Sequence, residues 1–122
     1  MKTIIAGSRT ITDKAKINAA IFRGVNKLVP FDKINEVIII SGGARGVDTE
    51  GENWAKSFGF PIERYLAQWD KFGKKAGFIR NKQMINNADA LIAIWDGKSK
   101  GTEHTINLSK EKNIPYYIEI IK

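Results

Sequence analysis

Short apolar runs alternate with longer amphipathic segments along the whole of this chain. Five runs rich in isoleucine occupy residues 3–6, 37–40, 62–66, 90–95 and 116–121. Short continuous apolar runs are typical of strands that are buried on both faces of a parallel sheet. We therefore predict a strand at each of these positions.

The segments between the runs carry apolar residues at spacings of three and four, which indicates amphipathic helices. Four helices are predicted in this way: the first has its apolar stripe over residues 17–28, and the others lie at residues 47–58, 74–88 and 102–112. Thr12 or Asp13 is the expected N-cap of the first helix, and Pro30 lies just beyond its end.

The resulting order, β-α-β-α-β-α-β-α-β, has no break in composition and no linker, so we expect one domain over residues 1–122. Alternating strands and helices predict a parallel sheet with right-handed crossovers and helices on both faces. The predicted fold is therefore an α/β, three-layer Rossmann-like domain with a five-stranded parallel sheet. In such sheets ligands bind beyond the carboxyl ends of the strands, at the point where the strand order reverses.

The composition excludes several classes of protein. Apolar residues make up 43% of the chain and charged residues 27%, which is typical of a soluble globular domain. No apolar run approaches the roughly 20 residues that span a bilayer, and the N-terminus does not resemble a signal peptide, so we expect a cytoplasmic protein without a membrane partner. There is no cysteine and His104 is the single histidine, so neither a metal site nor a cofactor is predicted. The net charge of +7 favours an anionic partner such as a nucleotide or a nucleic acid.

The loops that follow the first, second and fourth predicted strands are rich in glycine and hydroxyl side chains. Glycine lets backbone N–H groups approach an anion, and the N-terminus of the following helix adds partial positive charge. For any one of these loops a purely structural tight turn is the alternative, but three such loops at one sheet edge favour a phosphate site. The predicted contacts are Gly7, Ser8, Ser41, Gly42, Gly43, Ala44, Gly46, Gly97, Ser99, Gly101 and Thr102. Neither a dinucleotide-binding glycine fingerprint nor a Walker-type phosphate loop is present.

Three arginines, Arg9, Arg45 and Arg80, follow a strand or open a helix at this edge, and we expect all three to point into one cleft. The planar guanidinium group suits bidentate contacts with phosphate. Asn81 and Asp96 belong to the same predicted ligand-binding set.

Aromatic residues near the same rim are candidates for stacking on a base. Trp69 and Phe72 lie in a polar loop and are the better candidates, whereas Phe78 and Trp95 are interpreted as core residues. Asp48 has two interpretations. It either braces its own loop, which is favoured, or accepts a hydrogen bond from a ribose hydroxyl.

Four segments together resemble a known group of proteins. They are GSR at 7–9, SGGARGVD at 41–48, AGFIRNKQM at 76–84 and ADALIAIWDGKSKGT at 88–102. In this order they resemble the SLOG superfamily, and within it the YspA/YpsA-related proteins of bacteria and phages. The resemblance implies a Rossmann-like fold that binds nucleotides or nucleotide-derived ligands, and it favours a homodimer.

One branch of this superfamily implies binding of nucleic acid. SGGARGVD is similar to the ARGID-containing loop of the DNA-processing protein DprA, which binds single-stranded DNA. The similarity implies phosphate contacts from Arg45 and Gly46, with Trp69 or Phe72 stacking on bases.

Another branch implies an enzyme. FIRNKQM and the GT pair at 101–102 are similar to motifs of the LOG phosphoribohydrolases, which release the base from a nucleoside monophosphate. This similarity implies that Arg80 takes part in catalysis. The glutamate of the second LOG motif falls at Thr105 in this chain, so a catalytic carboxylate would come from elsewhere. The candidates are Asp48, Glu52, Asp96 and Glu103.

The leading hypothesis is a binding domain or sensor for a nucleotide or a nucleotide-derived molecule. Its phosphate is expected to rest on the loops at 42–46 and 97–102, with the three arginines around it. A nucleoside-phosphate N-glycosidase and a binder of single-stranded nucleic acid are the alternatives.

Overall fold

Five parallel strands form one sheet in the computed structural model, which describes residues 1–122. The strands are β1 (Lys2–Gly7), β2 (Ile38–Ser41), β3 (Ile62–Arg64), β4 (Ala90–Trp95) and β5 (Tyr116–Ile120). Their order across the sheet is β3-β2-β1-β4-β5, and every neighbouring pair is parallel. The strand order therefore reverses between β1 and β4, at the centre of the sheet. The predicted five-stranded parallel sheet is confirmed.

Helices cover both faces of this sheet. They are α1 (Lys14–Leu28), α2 (Val47–Phe58), the short α3 (Trp69–Phe72), α4 (Ala76–Asn86) and α5 (Lys100–Lys112). Helices α1 and α2 pack together on one face, and α4 and α5 pack together on the other. This is the three-layer Rossmann-like arrangement that the sequence predicts.

Alternate residues of the strands supply the two halves of the core. Ile5 and Ile92 are fully buried against α1 and α2, whereas Ile4 and Leu91 are fully buried against α4 and α5. Successive residues of a strand point to opposite faces of the sheet, so a strand covered by helices on both faces is apolar at every position. This is why the continuous apolar runs located the central strands.

The connection after β3 differs from the predicted one. The strand ends at Arg64, two residues earlier than predicted, and Leu66 is exposed. The polar segment that follows forms α3, because the carbonyl oxygen of Gln68 accepts hydrogen bonds from the N–H groups of Lys71 and Phe72. A loop predicted as irregular is therefore held as a helical turn.

Two other connections contain short stretches of 3-10 helix. Phe31–Glu36 lies in the connection between α1 and β2, where no helix was predicted, and Gly73–Lys75 joins α3 to α4. Because of the second stretch, α4 begins at Ala76, slightly later than the predicted start near Lys74. No helix of the chain has the length and apolar character needed to cross a bilayer.

Asp13 caps the N-terminus of α1, since its Oδ1 accepts a hydrogen bond from the N–H of Lys16 at 3.1 Å. We expect Asp13→Ala to lower the free energy of unfolding by about 1 kcal/mol, because that N–H loses its acceptor. Thr12, the other N-cap considered from the sequence, is the matched control, and Thr12→Ala is expected to change stability by less than about 0.5 kcal/mol. Urea unfolding of both variants measures the difference, and equal losses would contradict the assignment.

Candidate functional site

A polar cavity of about 300 Å³ lies at the carboxyl ends of β1, β2 and β4, where the strand order reverses. The loops after these strands and helices α2, α4 and α5 line it. Ten of the predicted contacts are in this lining: Gly7, Arg9, Ala44, Asp48, Arg80, Asn81, Asp96, Ser99, Gly101 and Thr102. Four lining residues were not predicted: Ala6, Thr10, Met84 and Thr105.

Two smaller cavities adjoin the first one. One, of about 250 Å³, is lined by residues that include Gly42, Gly43, Leu66 and Trp69. The other, of about 180 Å³, is lined by residues that include Trp69, Lys74, Gly77 and Phe78. Arg9 and Arg80 line all three cavities, which are therefore parts of one opening. We call the three together the cleft.

Arg80, on α4, is half-buried at the centre of the cleft. Its Nη1 donates to the carbonyl oxygen of Gly42 at 2.6 Å and, more weakly, to that of Tyr65 at 3.4 Å. Its Nε donates to Oδ1 of Asn81 at 2.9 Å. Burial lowers the pKa of Arg80, Asp48 opposes that change, and the nearby charge of Arg9 adds to it. The guanidinium is thus fixed in orientation by neutral acceptors.

Gly42 lets Arg80 approach β2 closely. A methyl group at position 42 would lie 2.5 Å from Nη1 of Arg80 and 3.0 Å from Oδ2 of Asp48. The first distance is too short for a carbon and a nitrogen, and the second is tight, so a methyl group here would displace the end of the arginine side chain. The first glycine of SGGARGVD therefore leaves room for the arginine and the aspartate to face each other.

Asp48, in the first turn of α2, is only 5% exposed and lines the cavity. Its Oδ2 accepts a hydrogen bond from the N–H of Ala44 at 3.2 Å, so it braces the loop as favoured from the sequence. Burial raises the pKa of Asp48 to about 6, although the Ala44 hydrogen bond and the charge of Arg80 oppose the rise. The cleft therefore contains a carboxyl group that titrates near neutral pH.

We expect the protein to lose stability, relative to Asp48→Asn, as the pH rises from about 4 to about 6. The folded state keeps the proton on Asp48 up to a pKa of about 6, whereas the unfolded chain releases it near pH 4. The unfolded state binds fewer protons in this window, so the free energy of unfolding falls with rising pH, by about 3 kcal/mol in all. Urea titrations of both proteins between about pH 4 and about pH 7.5 measure the difference. Parallel profiles would contradict the raised pKa.

The loop between β4 and α5 is closed by the carboxylate of Asp96. Its Oδ1 accepts hydrogen bonds from the N–H groups of Lys98 and Ser99, both at 2.8 Å, and its Oδ2 accepts one from the hydroxyl of Thr10 at 3.3 Å. The two backbone hydrogen bonds hold the pKa of Asp96 below its usual range. Two N–H groups that were expected to face a phosphate are therefore already occupied.

The loop between β2 and α2 is closed in the same way. The N–H of Gly43 donates to Oγ of Ser41 at 3.1 Å, and the N–H of Ala44 donates to Asp48. For these groups the predicted phosphate cradle is wrong, because side chains of the loops themselves accept the hydrogen bonds. The N–H groups of residues 100–102, in the first turn of α5, donate to no protein acceptor and stay available to an anion.

Arg45 does not join Arg9 and Arg80. It is exposed, lies in the turn before α2 and lines no part of the cleft. The chain turns at Gly46, which has a φ of +77° and lies so close to β1 that a methyl group there would be 2.7 Å from the carbonyl oxygens of Ser8 and Arg9. This contact holds the turn against the loop after β1 and leaves Arg45 in solvent. The expected convergence of three arginines is corrected to two.

Four more of the predicted contacts lie outside the lining: Ser8, Ser41, Gly46 and Gly97. Ser8 and Ser41 are buried. Oγ of Ser8 accepts a hydrogen bond from the N–H of Asp96 at 3.0 Å, and Oγ of Ser41 donates to Glu52 at 2.7 Å. Glu52 also forms an ion pair with Arg64 at 2.6 Å. Glu52 is thus engaged beside β3 and is not placed to act as a catalytic carboxylate.

The aromatic residues are arranged differently from the prediction. Trp69 is 50% exposed and lines the cleft, whereas Phe72 lines no part of it and lies under the ammonium group of Lys71. Phe78, interpreted as core, is 49% exposed and lines the cleft together with Trp69. The reason is that Phe78 lies on the side of α4 that turns away from the sheet. Trp95 is half-buried, and its Nε1 donates to the carbonyl oxygen of Ser99.

Thr105 takes the position that a glutamate has in the resembling LOG motif. It is buried, it lines the cavity, and its hydroxyl donates to the carbonyl oxygen of Gly101 at 3.1 Å. Its place one helical turn after Gly101 could have identified it from the sequence. Ala6 and Met84 carry no such signal, because their apolar side chains fit equally well anywhere in the core.

The fold and the cleft together place the protein in the class of Rossmann-like domains, with an arginine-containing cleft where the strand order of the sheet reverses. The chain belongs to the YspA, cpYpsA-related SLOG family (YAcAr), whose family model matches residues 1–72. The resemblance inferred from the sequence motifs is confirmed.

Comparisons with single proteins give one relative in sequence and two solved structures with a similar fold. The chain is 31% identical over 120 residues to the Gene 61 protein of Mycobacterium phage D29, which covers 93% of this chain and 92% of the phage protein. DNA processing protein A (DprA) from Streptococcus pneumoniae has a similar fold, with a TM-score of 0.71 and 18% identity over 96% of this chain and 49% of that chain. DNA processing protein A from Helicobacter pylori, solved to explain its single-stranded DNA binding mode, has a TM-score of 0.69 and 20% identity over 100% of this chain and 66% of that chain. This chain therefore spans only about half of the pneumococcal protein.

Proposed function

We propose that the cleft binds a nucleotide or a nucleotide-derived molecule, with its phosphate at Arg9 and Arg80, and that the protein is a sensor or a ligand-processing domain. The observation that carries this proposal is the environment of Arg80. The guanidinium is half-buried, donates to neutral acceptors, and takes no part in the four ion pairs of the protein.

A half-buried guanidinium loses hydration that neutral acceptors replace only in part, and the nearby carboxyl group of Asp48 makes neither a hydrogen bond nor an ion pair with it. Arg9 lines the same cavities and adds a second positive charge. Nη2 of Arg80 donates to no protein atom, which leaves one edge of the guanidinium fork free. An oxyanion such as phosphate would supply both the missing charge and the missing acceptors.

A thermal-shift panel tests the proposal. Its probes are AMP, GMP, CMP and UMP, the corresponding diphosphates, ribose 5-phosphate and inorganic phosphate. A ligand at about 100 times its dissociation constant adds about 2.7 kcal/mol to the free energy of unfolding, which is a readily measured rise in Tm. If no probe raises the Tm at millimolar concentration, the proposal is wrong.

Binding of single-stranded nucleic acid is a second candidate. It is favoured by the half-exposed Trp69 and by the fold similarity to the Helicobacter pylori protein, whose structure concerns binding of single-stranded DNA. The two candidates differ in their response to salt. Binding of a strand that contacts several phosphates weakens steeply as the salt concentration rises, whereas binding of one enclosed nucleotide changes far less. Titration of a fluorescent oligonucleotide at two salt concentrations separates them.

Cleavage of a nucleoside phosphate at its N-glycosidic bond is a third candidate. It is favoured by Asp48, a buried carboxyl group in the cleft with a pKa raised to about 6. Such a group either stabilises a positively charged sugar transition state or carries a proton. Chromatography of each nucleoside monophosphate after incubation would detect a free base. Release by the wild type and not by Asp48→Asn is the result that supports an enzyme.

A further inference from the structure

We propose that the cavity lined by Trp69 and Phe78 is a nucleobase subsite, in which the base of a sugar phosphate stacks on these two rings. The inference rests on the proposed function, because the phosphate of the same ligand would occupy Arg9 and Arg80. We call this cavity, of about 180 Å³, the aromatic subsite.

Two aromatic rings in the cleft are left half-exposed. Trp69 is 50% exposed and Phe78 is 49% exposed, and they belong to different helices, α3 and α4. Both line the aromatic subsite, whose walls also include Arg9 and Arg80. Exposed aromatic surface beside paired cations is what a ligand with a flat ring and an anionic group requires.

Trp69 lies beside the first turn of α4. A methyl group at Gly77 would lie 3.4 Å from Cη2 of Trp69, so the edge of the indole passes close to this glycine. The indole therefore lies at the side of the subsite and is 50% exposed, which leaves ring surface accessible for stacking.

Phe78 is fixed by His104. The two rings meet edge to face with their centroids 4.5 Å apart. Burial lowers the pKa of His104, so the imidazole is neutral at pH 7. Nδ2 of Asn81 lies 3.3 Å from its Nδ1, and Oδ1 of Asn81 accepts the hydrogen bond from Arg80. One chain of contacts thus joins the cationic part of the cleft to the aromatic part.

A nucleobase matches this environment better than an aliphatic group does. Every base has a flat π face, and stacking on an aromatic side chain strengthens binding by roughly 10-fold or more per base. Because Arg9, Arg80 and Asn81 line both the aromatic subsite and the main cavity, base and phosphate would belong to one ligand. The class of ligand is therefore a base carried on a sugar phosphate.

Calorimetric titration of AMP, GMP, CMP, UMP and ribose 5-phosphate into the wild type and four variants tests the proposal. Trp69→Ala and Phe78→Ala each remove one ring, Trp69→Phe keeps a ring, and Phe72→Ala removes an exposed ring of the same segment that lies outside the cleft. We expect at least one nucleotide to bind the wild type roughly 10-fold more tightly than ribose 5-phosphate does. Trp69→Ala and Phe78→Ala should remove most of this difference without changing the affinity for ribose 5-phosphate, whereas Trp69→Phe and Phe72→Ala should retain it.

The outcomes separate the subsite from the proposed function. If ribose 5-phosphate binds and none of the four nucleotides binds more tightly, the base subsite is wrong and the phosphate site stands. The same conclusion follows if Phe72→Ala weakens the nucleotide as much as Trp69→Ala does. If neither the nucleotides nor ribose 5-phosphate binds, the proposed function itself fails.

A deoxyadenosine oligonucleotide, titrated in parallel, tests whether the base belongs to a single nucleotide or to a strand. If the oligonucleotide binds far more tightly than AMP and its affinity falls steeply with rising salt concentration, the proposal of a single-nucleotide ligand is wrong.

Discussion

Replacing Arg80 with alanine is expected to weaken the binding of a nucleoside monophosphate by about 10- to 100-fold, which is the usual worth of hydrogen bonds to a charged group. Arg80 is held in place by Gly42, Tyr65 and Asn81, and its free edge faces the cavity. Alanine removes both the positive charge and the donors, so both parts of the phosphate contact are lost. Isothermal titration at a fixed salt concentration measures the change.

Arg45→Ala is the matched control for this experiment. Arg45 belongs to the glycine-rich loop that follows β2 but is exposed and lines no part of the cleft, so we expect less than a threefold change in affinity, about 0.6 kcal/mol. Arg9→Ala removes the second cation from an exposed position and should give an intermediate loss without a change in Tm. A larger effect for Arg45 than for Arg80 would show that the anion binds outside the cleft. If Arg80→Ala lowers the Tm strongly, Arg80→Lys, which keeps the charge but not the fork, provides the comparison.

Gly46→Ala is expected to lower the free energy of unfolding by about 2–5 kcal/mol. The residue has a φ of +77° and a ψ of −125°, a backbone conformation that residues other than glycine rarely adopt. A methyl group there would also lie 2.7 Å from two backbone carbonyl oxygens, those of Ser8 and Arg9, which cannot rotate away as a side chain can. Thermal and urea unfolding measure the loss.

Gly59→Ala is the control that separates the cost of the backbone conformation from the cost of a steric clash. Gly59 has a φ of +75° and caps α2, yet nothing lies within 4 Å of the position that a methyl group would take. We therefore expect a loss of only about 1–2 kcal/mol, the cost of the left-handed conformation alone. Equal losses for the two variants would mean that Gly46 is not pressed against the loop after β1.

The fold was predictable from the sequence because strands that are buried on both faces require continuous runs of apolar residues. Strands β1, β2 and β4 are covered by helices on both faces, so their central positions form continuous apolar runs that are easy to recognise. The edge strand β3 carries Glu63 and Arg64 and was predicted too long, because only one neighbouring strand restricts its composition. The 3-10 segments were missed because one or two helical turns bury too little apolar surface to require a regular spacing of apolar residues.

The site was predicted less completely, and the reasons are geometric. The loop positions were located, since every strand of a parallel sheet ends at the same edge. The direction of a side chain within a loop is not encoded in its spacing, and so Arg45 was expected in the cleft. Phe78 was expected in the core because of its apolar ring, but it lies on the exposed side of α4. The bracing role of Asp48 was the favoured interpretation, whereas the occupation of loop N–H groups by Asp96 was missed, because an aspartate that binds its own loop has the same sequence signature as one that binds a ligand.

Asn81 gives the cleft a property that affects the entropy of binding. Its amide is 4% exposed and uses both ends, accepting from Arg80 and donating to Gly101. The groups that would grip a ligand are thus held by α4 and α5 before any ligand arrives. A preorganised site loses little conformational freedom when it is filled, so more of the contact energy is expressed as affinity. For the ligand proposed above, these contacts would lower the entropic cost of binding.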